Sequence, residues 1–335
     1  MHTGPMTLAT GSRSGTRAPL TRVPLSTAEI PAVDPARQPW PGEVIESAGV
    51  RLHVRRTPGE GPVTAVYVHG LGGSATNWTD LAAGLAGRAP GIAVDLPGFG
   101  RTEPPEGYTY ALDAHADVLA TWLRGLDLGP VHLLGNSMGG AIAVLLAARN
   151  PDLVRTLTLV SPAVPDLRPL VSRISDRRIP LAFLPVVGPR VRRSLAMLTP
   201  HERALQMLNL CYADPASVSP DQLAVATAEY AERAGQRWAG PALALSTVGL
   251  IRAWFTTGVR SLWRAVRQVQ APTLVIWGSD DRLMTVRKAP RTARLIPRAR
   301  LLVLPRTGHV AQMERPTTVA RAVLGLWEAV DDDRW

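Results

Sequence analysis

The 335-residue chain has one cysteine, Cys211, and one lysine, Lys288. A single thiol excludes a disulfide framework and a multi-cysteine metal centre, and it gives the chain no stake in an oxidising compartment. Aromatic residues make up only 5% of the chain. With no nucleic-acid motif and no aromatic platform beside them, nucleic acid is not an expected partner. No stretch of about 18 apolar residues is free of charges or helix breakers, which argues against a membrane-spanning helix. No basic start runs into an apolar segment of roughly 7–15 residues, so a secretory signal is not supported and a cytoplasmic location is expected. The chain also lacks internal repeats.

What is present suits a folded globular chain. Hydrophobic residues make up 46%, enough for a sizeable core and too many for a wholly disordered chain. The length fits one α/β domain of roughly 220 residues plus an insertion. The net charge is +10, carried almost wholly by arginine. Residues 162–270 hold fourteen arginines against seven acids, and residues 1–42 hold four against two. Such a stripe attracts anionic lipid or an acidic substrate, although a solvated face is its commoner meaning.

Residues 1–42 are rich in Pro, Thr, Ser, Arg and Gly without periodicity and read as a disordered tail. Short alternating runs at 43–47 and 50–56 flank Ala48-Gly49, a hairpin signal. Strands are then expected at 63–68, 92–95, 131–134 and 154–160, with helices at 77–88, 110–126 and 138–149 between them. This alternation predicts a mostly parallel twisted sheet with helices on both faces. It stops at 162–270, where helical runs at 191–198, 201–211, 222–235 and 242–255 follow one another. It resumes with strands at 273–277 and 300–304 and helices at 286–295 and 316–330. The expected organisation is a core of 43–161 and 271–331 with a helical cap, 162–270, inserted into it.

Gly135-Asn136-Ser137-Met138-Gly139 fits G-x-S-x-G and sits between a strand and a helix, the context that gives this motif meaning. A serine on so tight a turn is held in a strained conformation, and glycines at 135 and 139 remove the collisions that side chains would make there. The helix N-terminus below the hydroxyl favours developing negative charge. Beside this elbow stand His-Gly-Leu-Gly-Gly at 69–73, Asp-Leu-Pro-Gly-Phe-Gly at 95–100, Trp-Gly-Ser-Asp-Asp at 277–281 and Gly-His at 308–309. Taken in this order over roughly residues 43–330, the motifs resemble those of the α/β-hydrolases with a helical cap.

A serine hydroxyl needs a base, and among the seven histidines His309 is the candidate, in the loop after the strand at 300–304. The loop after 273–277 offers two carboxylates to orient that imidazole, Asp280 and Asp281. The family's spacing, three residues after the glycine of Trp-Gly, selects Asp281. The oxyanion would be held by the backbone amides of Met138 and Leu71. The implied reaction is attack by Ser137 on a carbonyl, proton transfer through His309, and hydrolysis of the acyl-enzyme by water, without metal or organic cofactor. The glycines of 95–100 are not followed by Gly-Lys-[Ser/Thr] and read as a structural turn, not a phosphate loop.

Serine at the elbow disfavours the dehalogenase and epoxide-hydrolase chemistry that this fold runs with aspartate. The leading expectation is hydrolysis of a carboxylic ester of an apolar acyl substrate. Gly-Asn-Ser-Met-Gly-Gly also resembles the elbow of carbon–carbon hydrolases of ring-cleavage dienoates, but those have Trp after the histidine, where this chain has Val310. A non-catalytic receptor or scaffold on the same fold is the third alternative. Apolar residues of 242–255 either pack on the sheet or line an acyl site. Arg260, Arg264 and Arg267, with Leu262, Trp263 and Val266 between them, form a short basic amphipathic segment and a candidate contact with an anionic membrane. Cys211, on a helical pattern, reads as a small buried hydrophobe.

Overall fold

The computed structural model describes residues 22–59, 62, 64–166, 190 and 197–335. In chain order the main elements are β1 (Gly42–Ser47), β2 (Val50–Arg56), β3 (Ala65–Val68), α1 (Thr79–Leu85), β4 (Gly91–Val94), α2 (Leu112–Leu126), β5 (Val131–Asn136), α3 (Met138–Arg149) and β6 (Val154–Val160). There follow α4 (Pro200–Cys211), α5 (Pro220–Ala234), α6 (Ala239–Phe255), α7 (Leu262–Gln268), β7 (Thr273–Gly278), α8 (Ala289–Leu295), β8 (Ala299–Leu304), α9 (Ala311–Glu314) and α10 (Pro316–Asp331).

The strands form one sheet in the order β1-β2-β4-β3-β5-β6-β7-β8. β1 and β2 make an antiparallel hairpin turning at Ala48-Gly49, and β2 runs antiparallel to β4; the remaining pairs are parallel. Every residue of β3, β4, β5 and β7 is buried. Such strands show continuous apolar runs instead of alternation, because helices cover both faces of the sheet. One face packs against α2, α3, α7 and α8. The other packs against α1 and α10.

Between β6 and β7 the chain leaves the sheet. Thr199-Pro200 with Glu202 and Ser219-Pro220 with Gln222 form capping boxes that start α4 and α5, each satisfying helix amides that would otherwise lack acceptors. The inserted helices lie over the loops after β3 and β4. Ser74 Oγ donates to Glu229 (2.8 Å) and Gln236 Nε2 to the Gly100 carbonyl (2.8 Å), while Arg101 pairs with Glu232 and Arg237 with Glu103. The chain then returns through α7, whose Leu262 and Val266 are buried on the core face that also holds α3.

Two expectations need correction. The helix expected over 77–88 begins as a 3-10 turn, Ala75–Trp78, and α1 ends at Leu85. Of the expected disordered tail, residues 22–41 are irregular but pinned. The Ser26 amide donates to the Arg321 carbonyl (2.9 Å), the Ser26 hydroxyl bonds Glu328, and Arg37 faces Asp80 at 3.8 Å. Val23, Ile30 and Trp40 pack on the α1/α10 side of the core. A proline-rich segment has no period to read, yet a few apolar anchors and backbone bonds to a helix hold it in place. Residues 1–21 lie outside the described residues, as does most of the helix expected over 191–198.

Candidate active site

β5 ends in the elbow. From Val131 to Ala147 every residue is buried except Ser137, which is partly exposed. Its backbone has φ 53° and ψ −117°, a region that costs a non-glycine residue about 1–3 kcal/mol and persists only where the surroundings enforce it. Three backbone bonds do so. The Ser137 amide donates to Val160 O (3.0 Å), and its carbonyl accepts from Ala141 N (3.1 Å) and Ala163 N (2.8 Å). A Cβ on Gly135 would collide with the backbone of Gly139 and Gly140, and one on Gly139 with the carbonyls of Val68 and His69. The two glycines therefore let the turn close against itself and against β3.

On the same edge of the sheet, His309 Nδ1 lies 2.9 Å from Asp281 Oδ2, with the Asp281 side chain fully buried and His309 nearly so. The other Asp281 oxygen accepts from the amides of Leu283 (2.9 Å) and Met284 (2.8 Å). Asp280 is exposed, and only its backbone amide is engaged, donating to Thr307 O (2.9 Å). Of the two neighbouring carboxylates, the fold thus brings Asp281 to the imidazole.

The two halves of the site meet through Asn136. Its buried Nδ2 donates to both Val160 O and His309 O, each at 3.1 Å. This ties the residue before Ser137 to the backbone of His309. Among the described residues the Ser137 hydroxyl itself makes no hydrogen bond. Catalytic bonds of this kind are often loose until substrate arrives and tighten in the reacting complex.

The loop after β3 comes close to the elbow. A Cβ on Gly70 would stand 3.1 Å from Ser137 Cβ. Among the described residues the Leu71 amide donates to no acceptor. Met138 opens α3, where the first amides have no carbonyl within the helix to bond. Two N–H groups are therefore available beside the serine.

Four other histidines, His53, His69, His115 and His132, hold the scaffold. His69 is fully buried; its Nδ1 bonds Gly70 O (2.7 Å) and its Nε2 accepts from Leu96 N (3.1 Å), joining the loops after β3 and β4. Burial lowers its pKa and keeps it neutral. His53 bonds Asp95 at 2.7 Å, and Asp95 also accepts from the amides of Ala75 (2.6 Å) and Arg101 (2.9 Å). Burial alone would raise the Asp95 carboxyl, but these bonds outweigh it and hold the pKa below its ordinary value. The turn at 95–100 is accordingly a structural hub. His115 and His132 are buried against Tyr108 and Thr156, and burial lowers them to about 3 and about 4.

Sequence reasoning missed Glu314. Its carboxylate accepts from Gly308 N (2.6 Å) and Ala213 N (3.0 Å), while the His309 amide donates to Cys211 O (2.7 Å). The end of α4 is thereby stapled to the histidine loop. Glu314 lies five residues after His309 in a run that reads only as a loop-to-helix junction, and its partners are distant in the chain. Cys211 contributes its carbonyl here. Its thiol donates to Met207 Sδ and is pushed up to about 12, by burial and then by the Asp281 and Glu314 carboxylates, so it is no nucleophile at neutral pH.

An open recess of about 520 Å³ between Arg267, Val269 and Arg298 lies near the opposite ends of β7 and β8 and offers no nucleophile.

Residues 65–316 match the family model of the alpha/beta hydrolase fold. The chain is 29% identical over 280 residues to the 2-hydroxy-6-oxononadienedioate/2-hydroxy-6-oxononatrienedioate hydrolase of Cupriavidus pinatubonensis, covering 82% of this chain and 89% of that protein. It is 27% identical over 250 residues to Lipase 1 of Psychrobacter immobilis, covering 74% and 72%. Among solved structures, a putative lipase from Acinetobacter baumannii aligns with a TM-score of 0.69 at 21% identity, over 88% of this chain and 92% of that one. With the elbow, the parallel sheet and the family match in agreement, the chain belongs to the α/β-hydrolase fold family.

Proposed function

We propose that this hydrolase cleaves a carboxylic ester of an apolar acyl substrate through an acyl-enzyme on Ser137. The observation that carries the proposal is the Asp281–His309 pair, fastened through Asn136 to the strained turn on which Ser137 alone reaches solvent. In this reading Asp281 fixes the tautomer of His309 with Nδ1–H toward the carboxylate and stabilises its cation. His309 takes the Ser137 proton during attack, then protonates the leaving alcohol and activates the hydrolytic water. The amides of Leu71 and Met138 receive the tetrahedral oxyanion, and loss of one such donor typically costs ~3 kcal/mol of transition-state stabilisation. The described inserted helices α4, α5 and α6 act as a cap over this site. Leu243, 45% exposed, reaches within 3.5 Å of where a Cβ on Gly72 would stand, which supports an apolar wall beside the acyl group.

A second reading, hydrolysis of a carbon–carbon bond in a ring-cleavage dienoate, is favoured by the likeness to the Cupriavidus 2-hydroxy-6-oxononadienedioate/2-hydroxy-6-oxononatrienedioate hydrolase. Val310 in place of a tryptophan after His309 favours the ester. The deciding experiment compares turnover of a p-nitrophenyl ester series of rising acyl length with that of a ring-cleavage dienone, using Ser137→Ala as the blank. Ester turnover that rises with acyl length is expected. Dienone turnover far above every ester would replace the proposal with the second reading.

A further inference from the structure

α6 is the most unusual surface of the molecule. Its seventeen residues include no acid, and Ser246, Thr247 and Arg252 are its only polar side chains. A helix apolar all round is normally buried, yet only Ala242, Ser246 and Leu250 are buried here. The helical period of about 100° per residue divides the rest. One arc faces the core and the site: Leu250 packs in the core cluster, Gly249 lies against the Tyr110 backbone, and Leu243 reaches the Gly72 loop. The opposite arc carries Leu245 (48% exposed), Val248 (45%), Arg252 and Phe255 (65%), and Val259 (76%) follows past the helix end. Single exposed hydrophobes need no explanation, but a contiguous row of them marks a contact surface.

Charge selects the occupant. From 233 to 279 the chain has six arginines and neither Asp nor Glu. Among the described residues Arg252, Arg260, Arg264 and Arg267 form no ion pair. A second copy seated on this arc would set two such cationic stretches against each other, which like-charge repulsion disfavours. An anionic bilayer complements both features, apolar side chains entering the acyl boundary while arginines meet the headgroups.

We propose that the outer arc of α6, with Val259 and the neighbouring arginines, docks the protein on an anionic lipid surface. Of the apolar residues of the segment that sequence alone suggested, Leu262 and Val266 are buried in the core and Trp263 packs partly buried against it; the membrane-facing side chains belong to the helix before it. The helix is about 10 Å across and its inner arc touches the Gly72 loop, so docking brings the lipid surface to the rim of the proposed acyl site.

The test is flotation of the full chain with vesicles of phosphatidylcholine, with and without phosphatidylglycerol. Binding to the anionic vesicles alone, weakened by salt, is expected. Phe255→Ser with Val248→Ser should lower it at least ~10-fold, and Arg252→Gln or Arg260→Gln about fivefold each. Hydrolysis of a soluble short-chain ester should be unchanged in all of these variants, which separates this proposal from that of the reaction itself. Failure to bind phosphatidylglycerol vesicles, or equal binding to both kinds, would overturn it. So would a concentration-dependent dimer in sedimentation that Phe255→Ser dissolves, because the arc would then belong to a second copy.

Discussion

Among the described residues, two buried Asp–His pairs have nearly the same geometry. His53 and Asp95 lie 2.7 Å apart, and His309 and Asp281 lie 2.9 Å apart. Each carboxylate also accepts two backbone amides. They differ in what surrounds the imidazole. His53 is inside a strand, and its ring packs so closely on β1 that a Cβ on Gly42 would overlap it. His309 is in a loop, and its carbonyl accepts from the residue before a partly exposed, strained serine. An Asp–His pair is thus a generic device for holding a ring and an ionised carboxylate in a dry place. It becomes chemistry only where a nucleophile stands on the free side of the ring.

Substitutions in the two pairs should separate these roles. Asp281→Asn should lower kcat per folded molecule by about 10⁴-fold, since the amide supports the wrong imidazole tautomer. Asp280→Asn should leave kcat within about twofold because its side chain is exposed. Asp95→Asn should differ in activity: kcat per folded molecule is retained, while equilibrium unfolding shows a loss of about 3–5 kcal/mol, the usual consequence of breaking a buried pair. Equal effects of the two changes on activity would dissolve the distinction.

Glu314 offers a smaller and sharper test, because it acts through the histidine loop. Glu314→Ala should lower kcat by roughly 10- to 100-fold with KM nearly unchanged, the effect of a misplaced base, and Glu314→Gln should recover part of the loss by restoring one acceptor. A rise in KM alone would assign the staple to substrate binding.

A further effect, on stability and confined to acid pH, concerns histidines bonded to no carboxylate. Burial lowers His115 to about 3 and His132 to about 4, from an ordinary 6.5. As pH falls below about 6.5 the unfolded chain takes up these protons first, so stability declines toward pH 4, by on the order of 3 kcal/mol per group. His132→Phe, which can keep the stack on Trp327, should flatten the urea midpoint against pH over that window. An unchanged slope would remove His132 from the account.

The comparison also explains what could be read in advance. The elbow was legible because strand, turn and helix are consecutive, and their steric demands are written in adjacent residues. Asp281 was legible by family spacing, and its burial beside exposed Asp280 supplies the physical reason. Asn136 and Glu314 were not, because their partners, His309 O and Ala213 N, lie 173 and 101 residues away. Residues 22–41 escaped because irregular chain held by a few anchors has no period. α6 reads as a buried helix in sequence, since apolar content reports a need for a partner without saying whether the partner is the core. The structure separates its two arcs.

The most direct test of the central claim is covalent labelling with a fluorophosphonate followed by peptide mapping. The account predicts one adduct, on Ser137, formed rapidly in the native chain and strongly slowed in His309→Ala and Asp281→Asn, but not in folded Asp95→Asn. An adduct on any other residue, or labelling of Ser137 at the same rate after His309 is removed, would contradict it.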